Sequence, residues 1–281
     1  MRTGFRFVVV AAVTLSGSSA VHGQNTAPAA NARGSASAAS SDQPFDLHDL
    51  SGIWWGHSAR GVNSSLSATA PPMTPWAQAR YDAAKPGLGR TARAQPLGND
   101  PMMICDPMGF PRIMFWTNYP YEIVQLANRM IVFFDWFYTY RTIWTDGREL
   151  EPDPDTRWYG NSVGKWEGDT FVVRSNGFDD RSWLDADGHP HSDEMRLEER
   201  YRRMNHETIE LTMTLTDPKA YVRPWVSEKM TLTLADAKTA MREDVCVPSV
   251  EQRYKEVIRN PAGGATIPKC AMSSVTSTSR S

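Results

Sequence analysis

The sequence predicts an all-β protein, an up-and-down antiparallel β-barrel of about eight to ten strands with a short N-terminal helix and long loops. Three observations predict it. Apolar and polar residues alternate in several segments, as in TIELTMTL, whose apolar set is Ile209, Leu211, Met213 and Leu215. Short turn sequences separate successive segments, which is the pattern of serial hairpins with one buried face. Because closing the sheet removes its exposed edges, we prefer a barrel to a β-sandwich, the alternative.

One helix is expected ahead of the main run of strands. In TPWAQARYDAAK, Thr74 can cap the helix and Pro75 occupies its first position, an arrangement that favours a helix start. From this helix to Pro120 the chain is rich in Pro, Gly and Met. This composition predicts an ordered loop over the core.

The strands are expected after Pro120. Paired strands around short turns are predicted in YEIVQL-ANR-MIVFF, SVGKW-EGD-TFVVRS and EMRLEERYRRM-NHE-TIELTMTL, and SEKMTLTLA supplies one more strand. The segment FYTYRTIW runs into Thr-Asp-Gly. An Asp-Gly turn is the strongest local hairpin signal, so a hairpin is predicted there too.

The two ends of the chain differ in composition from its middle. Arg2 and Arg6 precede a short apolar run and then small residues, the layout of a secretory signal peptide. The predicted parts are a signal peptide over 1–23, a disordered leader over 24–44, a single barrel domain over 45–258 and a disordered tail over 259–281. We therefore expect a periplasmic or secreted protein. No later apolar segment reaches the roughly 20 residues of a membrane-spanning helix.

Charge and cysteine content narrow the partners and the redox chemistry. The formal net charge is −2, with both signs interspersed, so neither a nucleic-acid surface nor an anionic-membrane surface is predicted. The cysteines are Cys105, Cys246 and Cys270. In an oxidising compartment one disulfide is expected. We favour Cys105 with Cys246, because Cys270 lies in the polar tail.

The stretch LDADGHPHSDEMRLEERYRR contains the main candidates for chemistry. If a regular strand begins near His189 and runs to Arg203, one set of alternate side chains faces the core together with Met195 and Leu197. That set contains the candidate catalytic residues His189, His191, Asp193, Glu199 and Tyr201. His191, oriented by Asp193 or Glu199, would then act as a general acid or base. In the alternative, Pro190 breaks the strand, the histidines sit in a wet turn, and the strand begins only at Met195.

The same two histidines are candidate metal ligands. His189 and His191 form a His-x-His step that can present two imidazoles to one divalent ion. No third ligand stands at a diagnostic spacing, so neither a metal nor another cofactor is expected. The sequence also lacks a nucleotide-binding Gly-rich loop, a haem attachment motif and a Gly-x-Ser-x-Gly nucleophile motif.

A second group of candidates for ligand binding is aromatic, with two charged residues among the rings. Its members are Trp54, Asp135, Trp136, Tyr138, Tyr140, Arg141 and Trp183. Asp135 and Arg141 are costly to bury among large rings unless they pair with each other or with a ligand. Arg141 or Tyr201 could also stabilise a developing oxyanion.

Two resemblances add to this interpretation. The start SGIWW resembles the Gly-x-Trp start of lipocalin-like barrels, which implies that Trp54 after Gly52 closes one end of the barrel. A longer segment, roughly residues 130 to 228, resembles a large family of exported bacterial proteins of mostly unassigned function. It carries the Trp-Glu-Gly-Asp-Thr turn, the Gly-Phe…Trp-Leu-Asp run and the Pro-His-Ser step in order. This resemblance implies export and the limits of the unit, but no reaction.

Together these features predict an exported enzyme without a redox cofactor. It would transform a small apolar or aromatic molecule in the barrel cavity by His-mediated acid–base chemistry, as an isomerase, lyase or hydratase does. One alternative is a non-catalytic carrier for a hydrophobic small molecule. Another is a carbohydrate-acting hydrolase, because surface Trp and Tyr rings can stack on sugars. That alternative requires exposed aromatic residues that line an open groove. No oligomeric state is predicted.

Overall fold

The computed structural model describes residues 43–58, 65–87, 92, 98–254 and 256–257. The predicted signal peptide, nearly all of the predicted leader, Cys270 and the predicted tail lie outside the described residues, and the domain limits stay a prediction. Across the described ranges, no helix is both long and apolar enough to cross a lipid bilayer.

Ten strands and two helices make up the regular structure. The strands are β1 (Gly52–Ser58), β2 (Tyr121–Gln125), β3 (Arg129–Phe134), β4 (Thr139–Trp144), β5 (Asn161–Glu167), β6 (Thr170–Asn176), β7 (Arg196–Asn205), β8 (Thr208–Thr216), β9 (Trp225–Val226) and β10 (Met230–Leu234). The helices are α1 (Pro75–Ala83) and α2 (Pro248–Tyr254), and short 3₁₀ turns cover Pro101–Ile104, Arg112–Phe115 and Trp136–Tyr138. The prediction of an all-β fold is confirmed.

Nine of the strands close into a barrel. Strands β1 to β8 pair in chain order, and β10 joins the two ends by pairing with both β1 and β8. The tenth strand, β9, is an extra strand paired with β8. A closed barrel within the predicted range of strand number is therefore present.

One strand pair departs from the predicted antiparallel pattern. Strands β4 and β5 run parallel, through Ile143 opposite Ser162 and Trp144 opposite Val163. A ring of nine strands cannot alternate direction at every step, so at least one neighbouring pair must be parallel. The hairpin predicted at Asp146-Gly147 is wrong for this reason. The chain makes a tight turn there and then returns through residues 145–160 to start β5.

The other predicted hairpins and the start of the helix are confirmed. Strands β5 and β6 form a hairpin, and so do β7 and β8. The alternation in β8 is complete, because Ile209, Leu211, Met213 and Leu215 are all fully buried. At the start of α1, the Thr74 hydroxyl accepts a hydrogen bond from the N–H of Ala77.

The loop between α1 and β2 packs against the inside of the barrel. Its buried apolar residues are Met102, Met108, Phe110, Ile113, Met114 and Phe115. A disulfide between Cys105 and Cys246 joins this loop to the C-terminal segment, which confirms the predicted pairing. The ordered loop over the core is thus present, and it contributes much of the core itself.

Candidate functional site

The histidine segment is a compact turn and not the start of a strand. Strand β7 begins only at Arg196. Before it, Asp185 Oδ1 accepts hydrogen bonds from the backbone N–H groups of Asp187 (2.9 Å) and His189 (3.2 Å), and these bonds hold the chain in a turn. Pro190 has no N–H to offer to a strand ladder. The Pro190 carbonyl accepts instead from the Tyr221 hydroxyl at 2.8 Å. The prediction of a regular strand from His189 is wrong.

The sequence allows two interpretations of this segment, a regular strand from His189 or a wet turn broken at Pro190, and each is partly confirmed. From Met195 onward the predicted parity holds, since Met195, Leu197, Glu199 and Tyr201 are all buried. The strand therefore begins close to the place that the Pro190 alternative required. The histidines, however, are not in a wet turn, because His189 is 5 % exposed and His191 is fully buried. The turn packs against α1 and β9 instead of extending into solvent.

His189 forms a dyad with Asp185. The imidazole Nδ1 donates to Asp185 Oδ2 at 2.6 Å, and both side chains are buried. The ring stacks on Tyr81 of α1 with 4.7 Å between centroids, and it meets the edge of Trp225 of β9 at 5.1 Å. A helix, a turn and a strand therefore position one imidazole between two aromatic rings.

The environment of Asp185 keeps its carboxylate ionised. Burial alone would raise the pKa of Asp185, but the hydrogen bonds and charge of His189 outweigh burial and lower the pKa below its usual value. The Ser65 hydroxyl lies close enough to Asp185 to contribute to this lowering. That hydroxyl is buried, and it has no hydrogen-bond partner of good geometry in the described part of the chain.

Asp187 completes a group of three metal-type donors. Asp185, Asp187 and His189 each place a ligand atom within 4.8 Å of the others, and two carboxylates with an imidazole are a donor set that divalent ions accept. The 2.6 Å between His189 Nδ1 and Asp185 Oδ2 is a hydrogen-bond length, so the geometry is that of a dyad. The His189–His191 ligand pair considered from sequence is not formed, because the two rings have different partners.

His191 is held in a closed environment. Its Nδ1 donates to the carbonyl of Ser192 at 3.1 Å, so in the neutral ring Nε2 accepts from the Ser182 hydroxyl at 2.9 Å. Burial lowers the pKa of His191, which favours the neutral ring. A Ser–His pair can act as nucleophile and base. Here Gly109 covers the serine, since a Cβ at Gly109 would lie 2.2 Å from Ser182 Oγ.

Asp193 does not orient His191. Its carboxylate is 60 % exposed and accepts from Lys219 Nζ at 2.7 Å, and this hydrogen bond lowers the pKa of Asp193. The Asp217 carboxylate accepts from the N–H and the hydroxyl of Ser192 at 2.6 and 2.7 Å. The predicted contact of Asp193 with His191 is wrong, because the turn at Ser192 directs the two side chains to different surroundings.

A second buried polar centre lies inside the barrel. Arg141 of β4 donates to both carboxylate oxygens of Glu199 of β7, at 2.9 and 2.6 Å. It also donates to the hydroxyls of Ser162 on β5 and Ser175 on β6. The Tyr201 hydroxyl donates to Glu199 at 2.8 Å. Arg141, a ligand-binding candidate, is thus brought together with Glu199 and Tyr201, which were both predicted to be catalytic.

This centre is filled by the chain itself. The ring of Phe110 lies 4.1 Å from the guanidinium carbon of Arg141, and Arg141, Glu199 and Tyr201 are each at most 4 % exposed. Burial alone would lower the pKa of Arg141, but the charge and hydrogen bonds of Glu199 raise it. Burial and the Glu199 charge raise the pKa of Tyr201 well above its usual value. Arg141 and Tyr201 therefore keep their usual protonation states, and with Glu199, Ser162 and Ser175 they join four strands.

The centre spans the parallel junction of the barrel. Strands β4 and β5 pair through only two residue pairs, and Arg141 connects β4 across β5 and β6 to β7. The side-chain network therefore reinforces the place where backbone pairing is shortest within the ring. We interpret it as structural.

The remaining ligand-binding candidates are scattered. Asp135 is fully buried and pairs with Arg242, whose Nε lies 2.6 Å from Asp135 Oδ2. Its partner is Arg242 and not Arg141, because the C-terminal segment returns over the end of β3. Trp54 is buried beneath the guanidinium of Arg203 at 4.8 Å.

The other aromatic candidates lie apart from these two. Trp136 packs on Trp116 and Tyr119, and Trp183 lies 5.6 Å from the Arg112 guanidinium carbon. Tyr138 and Tyr140 are 63 % and 62 % exposed on the outside of the barrel. None of these four rings stacks on His189 within the described residues, although Trp183 pairs with Pro190 in the same turn.

Sequence reasoning missed three residues at the dyad: Asp185, Tyr81 and Trp225. Asp185 had a local signal, because the side-chain oxygen of an Asp in a turn commonly accepts a hydrogen bond from the backbone N–H two residues later in the chain. Tyr81 and Trp225 had none, since their contacts with His189 join distant parts of the chain.

Comparisons with protein-family models, curated proteins and solved structures find no match to this chain. The resemblances to lipocalin-like barrels and to exported bacterial proteins stay predictions.

Proposed function

We propose that this protein is an exported enzyme that transfers protons to and from a small apolar or aromatic molecule, with His189 as the acid–base group. The observation that carries the proposal is the buried His189–Asp185 dyad between Tyr81 and Trp225. It replaces His191, the residue favoured by sequence, because His191 is enclosed by Ser182 and Ser192.

The dyad supplies the parts that acid–base catalysis requires. Asp185 holds the proton on Nδ1, so Nε2 carries the basic lone pair. When Nε2 takes a proton, the adjacent carboxylate stabilises the imidazolium, as in other His–carboxylate pairs. The flanking rings hold the imidazole in place and surround it with apolar groups. The buried Ser65 hydroxyl beside Asp185 is a donor for a developing negative charge. These parts suit an isomerase, lyase or hydratase.

The carrier alternative stays a prediction. It would need space for a ligand away from Arg141 and Glu199, where the barrel interior is occupied by Phe110 and the polar network.

Proton transfer can be tested without knowing the natural substrate. The protein is incubated in D₂O with a panel of aryl-substituted carbon acids, and NMR records the exchange of hydrogen bound to carbon. We expect wild-type protein to catalyse exchange of at least one member. His189→Gln should reduce the rate by about 10²–10⁴-fold, the usual contribution of a positioned acid or base.

The matched control is His48→Gln, because His48 is exposed, with 52 % of its side chain accessible. This variant should exchange at the wild-type rate. Thermal unfolding of each variant establishes that loss of exchange is not loss of fold. Undiminished exchange by folded His189→Gln, or no exchange of any compound by the wild type, would contradict the proposal.

A further inference from the structure

The outer face of β3 and β4 carries an aromatic groove. Its lining residues are Arg129, Ile131, Phe133, Tyr140, Thr142 and Trp144, and its volume is about 350 Å³. On these strands the alternate residues Met130, Val132, Phe134, Arg141 and Ile143 are buried inside the barrel. The groove residues therefore point outward, where a wet sheet face ordinarily has polar side chains.

The rings in the groove are placed to contact a ligand. Phe133 and Tyr140 face each other across the two strands, with ring centroids 6.0 Å apart, and they are 38 % and 62 % exposed. Trp144 follows Tyr140 by four residues, which at the rise of a β-strand is about 13 Å. This aromatic surface is longer than one sugar ring, and Thr142 lies between its two ends.

Arg129 adds a positive charge to the groove. It is opposite Trp144 in the strand pairing, and its guanidinium carbon lies 5.7 Å from the centroid of that ring. Within the described ranges Arg129 makes no ion pair, whereas Arg148, stacked on the same Trp144 ring at 3.7 Å, is bonded to Asp146. A guanidinium stacked on a ring still presents N–H groups to a carboxylate.

We propose that this groove binds a short segment of an acidic glycan, a chain of sugars that bear carboxylates. The apolar faces of the sugar rings pack on Phe133 and Tyr140, and a sugar carboxylate pairs with Arg129 beside Trp144. The hollow that adjoins the groove at Trp144 is lined by charges of both signs, Asp146, Glu149 and Glu151 together with Arg148 and Arg157. Arg148 is already paired with Asp146, so the bound segment is centred on Arg129.

A second copy of the chain fits the groove less well. A stable protein interface engages about 20–30 residues on each side, whereas six residues line this groove. The concave shape and the alternation of rings with Arg129 and Thr142 favour a narrow ligand that is apolar on its faces and polar at its edges.

Titration calorimetry of the full-length protein with uronic-acid hexasaccharides tests the proposal, with a neutral hexasaccharide as the comparison ligand. We expect the wild type to bind at least one acidic sugar and to bind it less tightly as salt is raised. Arg129→Gln should weaken this binding by about 10-fold to 100-fold, the contribution of hydrogen bonds to a charged group. Tyr140→Ala should weaken it as well.

Matched controls come from elsewhere on the surface. Arg202 and Phe45 are an exposed arginine and an exposed aromatic residue outside the groove, so Arg202→Gln and Phe45→Ala should bind like the wild type. His189→Gln should also bind normally, because the groove and the dyad share no residue. Weaker glycan binding by His189→Gln would show that the groove and the dyad are not independent.

Four results would overturn the glycan assignment: no binding of any acidic sugar, equal affinity for the neutral sugar, an unchanged affinity in Arg129→Gln, or a dimer in native mass spectrometry that Phe133→Asp dissociates. The last result would show that the groove joins two copies of the chain.

Discussion

Removing one partner of the Arg141–Glu199 pair should strongly destabilise the barrel. In Glu199→Gln, Arg141 loses two charge-assisted hydrogen bonds of 2.9 and 2.6 Å. Such bonds contribute roughly 1.5–3 kcal/mol each, and the amide oxygen recovers part of one. The expected loss in the free energy of unfolding is about 3–5 kcal/mol, as for other buried pairs broken on one side. This is a large share of the roughly 5–15 kcal/mol that stabilises a typical domain.

Guanidinium chloride unfolding followed by tryptophan fluorescence measures this loss. Arg174→Gln is the matched control, because Arg174 pairs with Glu198 at the surface and is 44 % exposed. It should cost less than about 1 kcal/mol. In the double variant Arg141→Met with Glu199→Leu no buried charge is left unpaired, so it should be more stable than Glu199→Gln. A loss below about 1 kcal/mol in Glu199→Gln, or a double variant no more stable than Glu199→Gln, would refute the reasoning.

Two further predictions concern the turn that carries the histidines. Burial lowers the pKa of His191, so below pH about 6.5 the unfolded state binds more protons than the folded state. Stability should therefore fall with pH from about 6.5 downward, by at most about 1.4 kcal/mol per pH unit. Urea unfolding at several pH values should show this slope in the wild type and a shallower one in His191→Gln; equal slopes would contradict the assignment. Gly109→Ala should cost at least about 2 kcal/mol, since φ is +76° and the added Cβ would lie 2.2 Å from Ser182 Oγ. Gly147→Ala isolates backbone strain, because its φ is +85° with nothing within 4 Å; if both variants lose the same stability in thermal unfolding, the contact with Ser182 is unimportant.

The candidate site shows how much of the structure a local sequence pattern can predict. The sequence favoured residues 184–203 as the candidate segment and predicted the parity that buries Glu199 and Tyr201. It selected His191, because a regular strand through Pro190 would have let Asp193 or Glu199 orient that imidazole. The backbone instead turns around the Asp185 carboxylate, so the two imidazoles acquire unrelated partners.

The partners of the buried charges were decided by the tertiary structure. Asp135 and Arg141 are close in sequence and were expected to pair with each other or with a ligand. Arg141 points into the barrel toward Glu199, whereas Asp135 lies at the end of β3 against Arg242. The partners, Glu199 and Arg242, are distant in sequence. Which of them a charge meets depends on which segments are neighbours in space, and the alternation of apolar and polar residues within one strand does not contain that information.

The sequence by itself determined the local structure of this protein. Period-two alternation predicts which faces of β7 and β8 are buried, and Thr74 with Pro75 marks the start of α1, because these signals depend on residues only a few positions apart. The tertiary structure alone decided the parallel junction of β4 and β5, the His189–Asp185 dyad between Tyr81 and Trp225, and the outward aromatic groove. The parallel junction follows from closing a ring of nine strands. The dyad joins a turn to α1 and β9, which no short-range pattern relates. The groove depends on which face of β3 and β4 packs on the core.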